Sequence, residues 1–250
     1  MPRWLAGFAV PLILLAVWQG VCAAGFVPAS VLPAPSLVIT TLVAMGQSGE
    51  LAQAVSATAY RMACGFALGA AVATLLGGLC GASAGARALL DPLIQALRSV
   101  PSLAWVPLFI LWLGIFEASK ITLVAVGVFF PVYLNLVSGI ANVDRKLLEV
   151  GRVHGFSALQ KLLRIQLPAA LPSYVVGLRG GLGLGWMFVA AAELLGATNG
   201  LGFILDDGEQ TGRPERVLAA LLLFGLCGKL TDSALAAAGR RVVAWQDVAA

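Results

Sequence analysis

The chain alternates long apolar runs with short polar interludes. Residues 4–49, 62–86, 99–116 and 121–143 contain no Asp, Glu, Lys or Arg, and a spanning helix needs about 20 mainly apolar residues. The pattern predicts six membrane segments, at 5–24, 62–84, 100–116, 121–141, 170–195 and 216–238. The third is short, and Pro101 and Pro107 interrupt its start. Irregular or tilted backbone is expected there, which a bilayer tolerates only where protein or a water-filled path covers it. Residues 36–45 and 50–60 are moderately apolar and read as two surface or interfacial helices feeding the second segment.

Composition agrees. The chain is 60% hydrophobic and 11% charged, with mean hydropathy +0.93, against about 25% charged residues in soluble domains. The expected class is all-α, a polytopic helical membrane protein of about six transmembrane helices. Cys22, Cys64, Cys80 and Cys227 lie singly in apolar runs, without metal-ligand spacing, and read as small buried residues. Arg3 followed by an apolar run to Ala24 imitates a signal peptide. The run is longer than a usual signal core, and the residues before Cys22 make no convincing lipoprotein cleavage box, so an uncleaved anchor is expected.

Lys and Arg set the orientation. With the N-terminus inside, Arg3, Arg87, Arg98, Arg145, Lys146, Arg152, Lys161, Arg164, Arg240 and Arg241 fall on the cytoplasmic side. Arg61, Lys120, Arg213 and Arg216 fall on the other, while Arg179 and Lys229 lie within segments. Ten against four predicts that both termini and the loop 149–168 are cytoplasmic. Small residues recur every four positions at Gly65, Gly69, Ala73, Gly77, Gly81 and Gly85, and again at Gly177, Gly181 and Gly185. That spacing lets helix backbones approach closely, as static packing or as a surface that slides.

Loop 149–168 carries its own folding signals. Asp144 is placed to cap a helix over 145–154, and Gly155 to end it in a left-handed turn. Ser157 and Gln160 form an S-x-x-Q capping box for a second short helix. Pro168 disfavours helical geometry at Leu167, so that helix is expected to stop there, and Pro172 suits the first turn of the next segment. The product is a compact knob with Leu147, Leu148 and Val150 among Arg145, Lys146, Glu149 and Arg152. On composition alone it also fits a solvated basic loop.

Glu149, Gly151, Gly155, Ile165, Leu167 and Pro168 spell E-x-G-x3-G-x9-I-x-LP. This resembles the cytoplasmic EAA loop of the membrane subunits of bacterial ABC importers, with Val150 and Gly151 where alanines are commonest. Residues 91–115, 129–140 and 167–205 are similar to the importer permeases that handle nitrate, sulfonate and taurine, and the likeness runs from about Pro33 to about Arg241. The resemblance implies a type I ABC importer permease (MetI-like) fold in a bacterial inner membrane. It implies an anchor with interfacial helices at 1–60, a transporting core at 61–241 with its coupling loop at 142–168, and a cytoplasmic tail at 242–250. It further implies two copies of this chain, or one with a paralogue, two cytoplasmic ATPase subunits and an extracytoplasmic solute-binding protein. ATP and magnesium are then used by the partner ATPase, and the chain itself binds no cofactor, metal or nucleic acid. Aliphatic sulfonate is the first substrate expectation, with taurine, nitrate, bicarbonate and pyrimidine-type vitamin precursors behind it.

Ionisable residues at membrane depth are candidate functional sites. Arg179 and Glu193 share the fifth segment, 14 residues apart, or about 21 Å along a helix, too far to pair. Both are candidates for the translocation path, although Arg179 also fits a structural role satisfying carbonyls or a neighbouring acid. Lys229 and Asp232, three apart, are expected to pair with each other. Trp105, Trp112, Tyr133 and Trp186 fit the path or, equally, packing and interfacial anchoring. Residues 199–213, with Asp206, Asp207 and Glu209, read as a solvated outer loop or a receptor contact.

Catalytic motifs are decoys. Gly81-Ala-Ser83-Ala-Gly85 has the G-x-S-x-G form but closes a glycine-striped membrane helix. Gly181-x-Gly183-x-Gly185 has no strand before it, and Gly228-Lys229 lacks the rest of a phosphate loop. The chain is not expected to be an enzyme. A gradient-driven secondary transporter is the alternative, but the halves show no convincing duplication and the segments hold few carboxylates.

Overall fold

The computed structural model describes residues 3–245, with every side chain among them except those of 3–8, 102 and 103. Of the tail expected at 242–250, residues 246–250 lie outside the described residues. The elements are α1 (Arg3–Ala23), α2 (Pro35–Gln47), α3 (Glu50–Ala82), α4 (Ala84–Ser99), a 3-10 turn (Ser102–Trp105), α5 (Val106–Leu113), α6 (Glu117–Ala141), α7 (Arg145–Val153), α8 (Ala158–Lys161), a π turn (Leu162–Gln166), α9 (Leu167–Leu194), α10 (Leu201–Gln210) and α11 (Pro214–Val242). No strand occurs among the described residues.

Among the described residues, four helical runs are long and apolar enough to cross a membrane: Glu50–Ala82, Glu117–Ala141, Ala158–Leu194 and Pro214–Val242. They match the second, fourth, fifth and sixth predicted segments, whose ends overrun them by two residues at most, and the 21-residue α1 matches the first to within one residue at its C-terminal end. The third differs. Residues 100–116 form a 3-10 turn and an eight-residue helix, which extends only about 12 Å. Pro101 favours extended geometry at Val100 (ψ 124°), and this ends α4 before the turn.

The chain forms two compact units, Met1–Thr58 with Glu193–Leu226, and Ala59–Ala192 with Cys227–Ala250. In the second unit α6 is the central element. Gly65, Gly69, Gly77 and Gly81 of α3 face Val124, Ala125, Leu136 and Ile140 of α6 in rising order, so the two helices run parallel. Gly177 and Gly181 of α9 lie against Pro131 and Val128, and Gly139 of α6 lies against Ala170 and Ser173, so α9 runs antiparallel to α6. A Cβ on Gly181 would stand 3.0 Å from the Val128 carbonyl oxygen, and Gly69 likewise meets the Ala125 backbone, whereas Gly77 and Gly81 make room for the Leu136 and Ile140 side chains. Gly85 lies beyond α3 and meets only Ser83, so the stripe expected to extend that far ends at Gly81. On α11, Gly239 lies against Val175 and Thr231 accepts from Trp186 Nε1 at 2.9 Å, which makes α11 antiparallel to α9.

Parallel α3 and α6 require the chain to return between them. Tyr133 Oη donates to Asp91 of α4 at 3.0 Å, while Val106 and Phe109 of α5 pack with Leu123, Phe188 and Ala192. The return therefore climbs from the level of Tyr133 to that of Leu123, about 15 Å along α6. The turn between α4 and α5 lies within this climb, at the middle of α6.

Two further expectations are corrected. Residues 50–60 are not a separate helix but the start of α3, which runs 33 residues unbroken. No proline interrupts it, and Arg61, only 4% exposed, is neutralised by a bidentate pair with Glu117 (Nε and Nη2 to the two carboxylate oxygens, both 2.7 Å). Residues 199–213 are not simply a loop: after Gly200 (φ +130°) they form α10, whose Leu201 and Ile204 are buried with Met45, Ala54 and Ala220 in the first unit.

Candidate functional site

The polar interlude folds as a knob built from local signals. Asp144 accepts from the Lys146 N–H at 2.9 Å and caps α7. Gly155 adopts φ +67°, and the chain reverses there through a Phe156 N–H to Gly151 carbonyl bond of 2.9 Å. Ser157 and Gln160 make both halves of the capping box, at 2.9 and 3.3 Å. Arg164 lies over the Phe156 ring, 5.4 Å from its centroid. His154 Nδ1 stands 2.9 Å from the Val150 carbonyl oxygen.

The motif residues divide between the interior of the knob and its surface. Gly151 is buried where a Cβ would stand 2.7 Å from Ile165 Cδ1 and 3.2 Å from Lys161 Cγ, so α7 packs on the π turn through a position with no side chain. Leu167 and Leu162 pack on Leu136, Ile140 and Ala170 and mount the knob on α6 and α9. Glu149 is exposed, as are Leu147 (48%), Val150 (52%) and Val153 (86%), among exposed Arg145, Lys146 and Arg152. A cavity of about 190 Å³ lies between Leu148, Arg152, Ala158, Lys161 and Gln166.

Pro168 does not stop the helix. Leu167 is helical (φ −64°, ψ −48°), and its N–H reaches five residues back to the Leu162 carbonyl. Proline lacks an N–H and clashes with the carbonyl four residues earlier. Widening one turn to i→i+5 spacing relieves both conflicts, and the run continues from Ala158 to Leu194.

The charged residues at membrane depth take partners that the sequence did not disclose. Asp232 pairs not with Lys229 but with Arg179, whose Nε and Nη2 donate to its two oxygens at 2.8 and 2.9 Å. The Arg179 side chain remains 45% exposed and that of Asp232 32%; Lys229 is exposed one turn before Asp232. Glu193 belongs to the first unit and is 1% exposed. It accepts from Thr58 Oγ1 at 2.8 and 2.9 Å and from the Gly202 N–H at 2.8 Å, while Thr58 Oγ1 accepts from the Leu201 N–H at 2.8 Å. The start of α10 is thus held by one carboxylate and one hydroxyl. Arg216 of the same unit bridges Glu50 and Asp207.

Of the aromatic candidates, Tyr133 is fully buried on Asp91, Trp186 is anchored on Thr231, Trp105 stacks on Phe109 and Trp112 is 64% exposed. Sequence reasoning missed Asp91, Thr58 and the Arg61–Glu117 pair. A single carboxylate and a single basic residue in apolar surroundings were the available signals, but neither names its partner.

Residues 73–244 match the family described as the inner-membrane component of binding-protein-dependent transport systems. A Bacillus subtilis protein named as an aliphatic sulfonates transport permease is 42% identical over 98% of this chain and 88% of its own length. The taurine transport system permease of Escherichia coli is 34% identical over 93% of this chain and 86% of its own. The nitrate import permease of Synechocystis is 33% identical over 90% and 84%.

Proposed function

We infer the function from one premise: this chain belongs to the family of inner-membrane components of binding-protein-dependent transport systems. It is a multi-pass ABC transporter permease of the sulfonate, taurine and nitrate branch. The solute proposed for it is an aliphatic sulfonate, the substrate class named for a relative matching nearly its whole length. It works with a cytoplasmic ATPase, a second copy of itself and an extracytoplasmic binding protein.

The observation that carries the mechanism is the knob. Its interior is fixed by a cap, a glycine turn, a capping box and the Gly151–Ile165 contact, while its outward face leaves Leu147, Val150 and Val153 open among basic residues. An apolar surface with a charged rim is suited to a protein groove, and its rigid mounting transmits displacement. On ATP-driven closure the partner displaces the knob, α8 and the π turn carry the motion into α9, and access to a path between two copies switches. The solute biases the switch only through its different contacts in the two states. Glu149, Gly151, Gly155, Ile165, Leu167 and Pro168 form the coupling element. Arg179 faces the path, and Glu193, whose carboxylate is engaged in the first unit, holds α10 beside it in sequence.

Gly155→Val tests this reading. A Cβ at 155 meets nothing within 4 Å, so the penalty is backbone strain at positive φ, about 1–2 kcal/mol. The variant should remain in the membrane yet retain less ATPase than wild type when the detergent-solubilised chain is captured. Full retention of the ATPase would remove the knob from the mechanism.

A further inference from the structure

Arg179 lies about 18 Å from one end of α9 and about 22 Å from the other; Lys229 is equally central in α11. The pair with Asp232 engages two of the five guanidinium N–H donors of Arg179, and the group stays nearly half exposed. Lys229 and Ser233, four apart and so on one helix face, are exposed as well. Two cations and one carboxylate leave this face with a net charge of +1. Lipid is a poor neighbour for it, since charges at this depth face a bundle interior or water.

A second observation bears on the same level. Gly177 and Gly181 bracket Arg179 and lie against Pro131, Val132 and Val128 of α6. The break between α4 and α5 falls between the levels of Tyr133 and Leu123, so it shares the depth of Arg179. Residues 95–101, including Arg98, are exposed there, and non-helical backbone at membrane depth requires protein or a water-filled cavity beside it.

We propose that Arg179 and Lys229 form a mid-membrane site for the oxyanion headgroup of the solute, a singly charged sulfonate or nitrate-like group, with Asp232 as its fixed counterion. The site rests on the permease reading above and gives its anionic cargo named residues to bind. Asp232 orients the guanidinium so that its free N–H groups and the Lys229 ammonium converge on one anion. It also sets the charge: a monovalent anion brings Arg179, Lys229 and Asp232 together to neutrality, whereas a dianion leaves the three at −1.

The test uses Ser233→Cys in the full chain, expressed with its partner subunits in membranes permeable on both faces, with modification at position 233 read by peptide mass. Two thiol reagents are compared, sulfonatoethyl methanethiosulfonate and its trimethylammonium counterpart. The sulfonate reagent should react faster, and excess ethanesulfonate should slow it. The rate ratio should fall by about tenfold in Lys229→Gln, and Asp232→Asn should raise it. Silence toward both reagents, or a ratio unmoved by Lys229→Gln, would overturn the site. A flat ratio with normal ATPase capture would remove the anion site and leave the permease reading standing. An intact ratio with no ATPase capture would do the opposite.

Discussion

At position 193 a carboxylate is sealed in the protein with a hydroxyl and an amide N–H directed at it. Removing one member leaves buried polar groups without partners, which costs more than the net worth of the bonds. Glu193→Ala is expected to lower stability by about 2–3 kcal/mol, read from thermal unfolding in detergent. Thr58→Val should cost a similar amount, and the double variant less than their sum, because both act on the start of α10. Strict additivity would show that the two residues do not act as a unit. The sequence exposed Glu193 as unusual because it is a lone acid in an apolar run, but Thr58 is 135 residues away and looks like any threonine. Asp232 shows the same limit. Helical periodicity offered it Lys229 three positions off, whereas the structure gives it Arg179, 53 residues away and able to engage both oxygens at once.

Local signals predicted single elements well where each residue's conformational preference acted alone. Asp144, Gly155, Ser157 and Gln160 do what their types and order suggest. They failed where tertiary packing set the price. Residues 50–60 read as a helix apart from the second segment, but Arg61 between them is neutralised by Glu117, a partner invisible to a local pattern. Pro168 reads as a stop, but one widened turn absorbs it. That turn carries a prediction. In Pro168→Ala the restored N–H can bond the carbonyl four residues back, and the turn can tighten to α-helical spacing. A turn that loses its extra residue rotates what precedes it by about 100°, enough to separate Ile165 from Gly151. Faster backbone hydrogen exchange over α7 and α8, with α9 unchanged, is the expected result, together with weaker coupling of ATP use to uptake. Unaltered exchange would mean that the π turn is held by the packing of Leu162 and Leu167 rather than by the proline.

At the scale of the whole chain, helix directions in the second unit bear on sidedness independently of charge counting. The C-terminal ends of α3, α6 and α11 and the N-terminal end of α9 all lie toward the knob, as the Gly81–Ile140, Gly139–Ala170 and Gly239–Val175 contacts require. Arg240 and Arg241 therefore share an end with Arg145, Lys146, Arg152, Lys161 and Arg164. Arg98, expected beside them, belongs instead to the broken crossing at mid-depth, and the tally becomes nine against four. That crossing was the least legible part of the fold: hydropathy measures a length of apolar chain, whereas the return from α3 to α6 is made by two helices, neither long enough alone. Its necessity follows only from the parallel packing of α3 on α6. A basic end faces the cytoplasm, so a fluorescent protein fused after residue 245 should glow and an alkaline phosphatase fused there should be inactive. Phosphatase inserted between Thr211 and Arg213, at the other end of α11, should be active. Activity at the C-terminus would place the knob outside, beyond the reach of any ATP-driven partner, and would remove the coupling mechanism however well the knob is built.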